Sequence, residues 1–101
     1  MASPYEPYYK QALKLEFRYK DIVDDQDNPL AQNLQREIHA LVEDLKAEKD
    51  PRDVEEQIKT IDRQLLQARA QGEICMSYQD IDQLQDEYRE LREDIRELPN
   101  Y

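Results

Sequence analysis

The chain has one histidine, His39, and one cysteine, Cys75, so metal, acid–base or nucleophilic chemistry has to be built from these two and from carboxylates. A dinuclear carboxylate centre in a helical bundle needs Glu-x-x-His pairs projecting inward from facing helices. Here Arg36 stands three residues before His39, and Glu37, two residues before it, falls on another face of the helix. His39 and Glu43 are one turn apart, but a single such pair without a second histidine falls short of a metal site. The expected role of His39 is that of a half-exposed histidine on a helix surface.

Nucleophilic catalysis requires a thiol or hydroxyl beside a base. Ser3 lies at the terminus and Ser77 reads as a helix cap. Cys75 sits in Glu73-Ile74-Cys75-Met76, where a neighbouring acid disfavours the thiolate, so it reads as a structural thiol. Paired carboxylates mean little in a chain with 24 Asp and Glu among 101 residues. No catalytic residue, metal or cofactor is expected, and the chain reads as a non-enzyme.

Partner surfaces are the alternative use of these side chains. Fourteen basic residues against 24 acidic ones give a net charge of -10, which repels a phosphate backbone and an anionic membrane surface. Direct nucleic-acid binding is therefore not expected. Nor is membrane insertion, since no apolar run reaches the roughly 18 residues of a spanning helix. The leading MASPYEPYYK carries neither a basic n-region nor an apolar stretch, so the expected compartment is the cytoplasm. A lone cysteine forms no internal disulfide.

The charge is unevenly distributed. Residues 73–101 hold nine acidic and three basic side chains, against six and four in 1–27, four and three in 28–49, and five and four in 50–72. The acidic face formed by Asp80, Glu87, Glu90, Asp94 and Glu97 is the candidate surface for a basic protein partner. Tyrosine is the second enrichment, seven against one Phe and no Trp, with Tyr5, Tyr8 and Tyr9 gathered in a Pro/Tyr-rich amino-terminal lead. These rings either close the end of the fold with their hydroxyls still hydrogen-bonded or serve as interface anchors.

The elements that must position these residues are legible from punctuation. Pro7, Pro29 and Pro51 mark helix starts, where a missing N–H costs nothing, and Asn28 and Asp50 are good caps before the latter two. Ser77 with Asp80 marks a fourth start, with Met76 and Ile81 as its apolar staple. Gly72 closes the third helix in the left-handed conformation. The predicted helices run from about Pro7 to Val23, Pro29 to Lys49, Pro51 to Gln71 and Tyr78 to Leu98.

Apolar residues in the last helix fall at Ile81, Leu84, Tyr88, Leu91, Ile95 and Leu98, alternating steps of three and four. The third repeats this at Val54, Ile58, Ile61, Leu65 and Ala68, whereas the second, with Leu30, Leu34, Ile38, Leu41 and Leu45, has a mean spacing closer to that of a straight helix and covers a broader face. The first spreads Tyr9, Ala12, Leu13, Leu15, Phe17, Tyr19, Ile22 and Val23 over more than half its circumference, so it should touch two neighbours. The chain's single glycine argues against sheet-rich folds and phosphate loops.

Short links between rods of similar length predict one all-α domain over residues 1–101, an antiparallel up-down-up-down four-helix bundle. The competing arrangement is a long hairpin of the third and fourth helices, with the other two lying across it and dimerisation completing the fold. The unbalanced charged flanks of the fourth helix favour a meeting with another chain, possible as a homodimer. The function expected is a small non-catalytic interaction or regulatory module presenting helix faces to another protein. The alternative is an acidic DNA mimic that inhibits a nucleic-acid-binding protein.

Overall fold

The computed structural model describes residues 3–23, 28–72 and 76–99. It contains four helices, α1 (Glu6–Ile22), α2 (Pro29–Lys46), α3 (Pro51–Gln71) and α4 (Tyr78–Ile95), and no strand among the described residues. Asn28 accepts from the amides of Leu30 and Ala31, Asp50 from Arg52 and Ser77 from Asp80, so three starts carry the caps their sequences promise. Gly72 takes φ 63° at the end of α3. Met76 packs half-buried against the core ahead of α4.

Four boundaries differ from the sequence reading; α1 ends one residue early, at Ile22, and the other three have local reasons. α1 begins at Glu6, one residue early, with no side-chain cap; its Glu6 amide donates to the Ser3 carbonyl instead. α2 stops at Lys46 rather than Lys49, because Glu48 turns into the left-handed region at φ 57°. The Lys49 amide then reaches back to Asp44 O at 3.1 Å and Glu48 to Leu45 O at 3.2 Å, closing the helix as a glycine usually would. α4 ends at Ile95 and continues in tightened turns, with Arg96, Glu97 and Leu98 donating three residues back. Those turns still carry Leu98 into the core. Cys75, and with it the expected structural thiol, lies outside the described residues.

The helices pack as a closed ring, α1 on α2, α2 on α3, α3 on α4 and α4 back on α1, without diagonal contacts. This is the up-down-up-down bundle, about 41 Å long and 19 Å across. The return of α4 to α1 rules out a hairpin with two loose helices. Ile81, Leu84, Tyr88, Leu91, Ile95 and Leu98 all face inward, as do Val54, Ile58, Ile61, Leu65 and Ala68 opposite them. Each buried Leu or Ile contributes about 1.5 to 3 kcal/mol. The α4 seam is thus used up within one chain. Along α1 and its C-cap, Ala12, Leu15, Tyr19 and Val23 are buried and Tyr9, Leu13 and Ile22 pack half-buried against the core, so the helix touches both α2 and α4 as expected, while Phe17 is 58% exposed with the Lys20 ammonium over its ring.

Candidate functional site

The acidic surface of α4 is best understood from its arginines. Arg96 bonds Glu55 at 2.9 Å, Arg89 bonds Asp62 at 3.3 Å, and Arg69 bonds Asp82 at 2.8 Å. These rungs are seven residues apart on both α3 and α4, an ionic ladder along one flank of the shared seam. Their order of charge fixes the register. Sliding α4 by one heptad sets either Arg89 against Arg69 or Asp82 against Asp62, and like charges facing one another resist the slip. Glu87 and Asp94 lie on the opposite flank of α4, toward α1.

The ladder turns two of the three α4 arginines toward α3. On the other side, Arg18 of α1 bonds Glu87 at 2.7 Å. Asp80, Asp86, Glu90, Glu93, Asp94 and Glu97 are left with no basic partner among the described residues. The net negative charge read in the sequence is therefore an uncompensated surface.

Between the first turns of α1 and the last turns of α4 this surface forms a groove of about 240 Å³, lined by Pro7, Tyr8 and Gln11 from α1 and by Glu87, Glu90, Leu91 and Asp94 from α4. Leu91 is 2% exposed and floors the groove as part of the core. Partial burial, then the negative fields of Glu97 and Asp94, push the Tyr8 phenol up from its ordinary range. Four of the five candidate carboxylates, Glu87, Glu90, Asp94 and Glu97, thus gather around Tyr8. Asp80 does not join them: it lies in the first turn of α4, at the opposite end of that helix.

The other two tyrosines separate as well. Tyr5 is buried, and its hydroxyl donates to the Lys49 carbonyl at 2.9 Å, pinning the lead segment to the α2–α3 turn. The Ser3 hydroxyl donates to Glu48 in the same turn. Tyr9 is half-buried and lines a second cleft of about 230 Å³ with Tyr5, Leu45 and Lys46. Tyr5 therefore closes the bundle end, and Tyr8 is the ring presented to the acidic groove.

One polar cluster escaped the sequence reading. Glu16 is 3% exposed, and its Oε2 accepts from the Gln35 amide at 3.0 Å and lies 3.0 Å from His39 Nδ1. Its spacing, four after Ala12 and three before Tyr19, puts it on the apolar stripe, which is the signal that identifies it. Glu43 lies 3.6 Å from the other ring nitrogen of His39. The two carboxylates engage opposite edges of the imidazole, so they do not converge on one ion. Among the described residues no three His, Cys, Asp or Glu side chains are grouped to hold a metal. Nearby, burial, then the charges of Glu16 and Glu87, raise the Tyr88 phenol far above its usual range. Its hydroxyl has no hydrogen-bond partner among the described residues.

No protein-family model, curated protein or solved structure matches the chain. No described helix is long and apolar enough to cross a membrane.

Proposed function

We propose that this protein is a small, non-catalytic cytoplasmic interaction module whose working surface is the acidic α1–α4 face and whose partner is a protein with a basic surface. The observation that supports this reading is the groove at Tyr8, where uncompensated carboxylates, an aromatic ring and an apolar floor adjoin one another. Aromatic anchors ringed by unpaired charge are features that protein interfaces use, the ring for affinity and the charge for steering. The buried α4 seam offers no support for a homodimer built on that seam.

Site-specific photo-crosslinking in cells of the source organism tests the proposal. A benzophenone amino acid at Tyr8 should capture a basic protein, the same residue at Phe17 should not, and the Glu90→Gln/Asp94→Asn pair should abolish capture. Equal capture from Tyr8 and Phe17, or capture indifferent to the charge change, would overturn it. If the captured protein binds DNA and DNA competes for it, the DNA-mimic reading takes precedence.

A further inference from the structure

The α3–α4 contact carries an ion pair at every seven-residue step; across α1–α4 the same step leads from one ion pair to a position with no cation among the described residues. Arg18 faces Glu87 across the helices. One heptad toward the start of α1 and one toward the end of α4, the corresponding residues are Gln11 and Asp94, and both line the groove beside Tyr8. Asp94 has no side-chain partner among the described residues, and neither has Glu90. At the far end of the bundle the same fold shows what such a trio holds when complete: the Arg69 guanidinium stacks 4.8 Å from the Tyr78 ring centre while its Nε donates to Asp82.

We propose that the groove between α1 and α4 receives an arginine side chain of a partner protein, with its guanidinium completing the empty Gln11–Asp94 rung and lying against Tyr8. The proposal rests on the interaction reading above and names its chemistry. Arginine fits better than lysine for three reasons. Its planar fork can bond two carboxylate oxygens at once, its face stacks on tyrosine, and it is more weakly hydrated than an ammonium, so entering a half-buried groove costs less. Pro7 and Leu91 provide an apolar bed for the methylene stem. Glu90, on the same wall, supplies a second acceptor, and the Gln11 side chain carries an amide that adds no competing charge.

The test is a titration of the full-length, isotopically labelled chain with three blocked pentapeptides, Ac-Gly-Leu-Xaa-Leu-Gly-NH2, in which Xaa is arginine, lysine or citrulline, followed by amide NMR shifts. The arginine peptide should shift Tyr8, Gln11, Glu90 and Asp94 saturably, the lysine peptide should bind about fivefold more weakly, and citrulline, which keeps the shape without the charge, should leave the spectrum unchanged. The Gln11→Arg variant fills the rung from within. It should fold as the parent does and lose at least about tenfold in affinity for the arginine peptide. The Asp94→Asn variant should weaken binding by a similar factor.

Equal shifts from the arginine and citrulline peptides, no saturable shift from any of them, or undiminished binding by Gln11→Arg would each overturn the proposal. A Tyr8 crosslink that survives such a result would show that the surface is used but that arginine is not what enters it. Loss of the Tyr8-specific crosslink with peptide binding intact would show the reverse.

Discussion

The two flanks of α4 make opposite use of similar side chains. Toward α3, every seven-residue step pairs an acid with an arginine, and even the 6% exposed Glu55 side chain is bonded by Arg96 at two guanidinium nitrogens. Toward α1, one step is filled by Arg18 and Glu87, the next meets Gln11, and the carboxylates beyond it face solvent. The lesson concerns charge in small bundles: the flank that must specify register is neutralised inside the molecule, and the net charge collects where register is set by other means. The core packing of Ala12, Leu15 and Tyr19 against α4 and α2 supplies those means here.

Breaking the core beneath both flanks should have the largest effect. Leu91→Glu places an unpaired charge at a position that is 2% exposed and floors the groove, and should cost on the order of 3 kcal/mol or more, read as a fall in the urea midpoint. A variant that melts like the parent would mean that the groove opens into the bundle and that α4 is turned differently.

The ladder and the groove should then respond with opposite signs. Arg96→Ala removes the cation from a nearly buried Glu55 and should lower stability by about 1 to 2 kcal/mol, because hydrogen bonds to charged groups are among the stronger ones. Asp94→Asn, two residues earlier on the other flank, removes only repulsion and should leave stability within about 0.5 kcal/mol of the parent or slightly higher. Equal losses from the two substitutions would erase the distinction between the flanks.

Between these lies the Tyr88 hydroxyl, buried where α4 meets α1 and without a hydrogen-bond partner among the described residues. Tyr88→Phe should raise stability by about 1 kcal/mol, since an unsatisfied buried hydroxyl is a net cost. Its raised pKa has a sign that can be checked, together with that of Tyr19, which burial also pushes up. In the unfolded chain both phenols ionise near pH 10, whereas the fold holds them neutral. Stability is unaffected by their ionisation below about pH 10 and declines as pH rises above it. Thermal melts of the parent should fall above that pH, and those of Tyr88→Phe should fall less steeply. A parallel decline in both proteins would mean that the Tyr88 hydroxyl finds water or a partner in solution.

Much of the fold was written in local signals. Asn28, Asp50, Ser77 and Gly72 begin and end helices through hydrogen bonds that span only two to four residues, so the sequence carries both halves of each contact. The α3 and α4 seams are similarly self-evident, because a step of three or four residues returns to the same side of a helix whatever it packs against. The end of α2 was less legible: a glutamate in the left-handed region stands where glycine is the usual signal, and Ser3 and Tyr5, far away in sequence, tie down that turn.

The candidate surface was half legible for the same reason. An excess of carboxylates in the last helix is a property of composition, and it pointed to Glu87, Glu90, Asp94 and Glu97. Which of the acidic residues are neutralised depends on the angular phase of one helix against another. That phase is set by how large core residues such as Tyr19, Leu84 and Tyr88 interlock, and it decided that Asp82 meets Arg69, that Glu87 meets Arg18 and that Asp94 shares its groove with a glutamine. It also buried Glu16 against His39 and separated Tyr5 from Tyr8. The amino-acid order alone determined four rods and their greasy sides, because helix formation and capping act over a single turn. The tertiary structure decided where charge remains unanswered, because Coulomb forces act through space between residues whose distance the chain order does not contain.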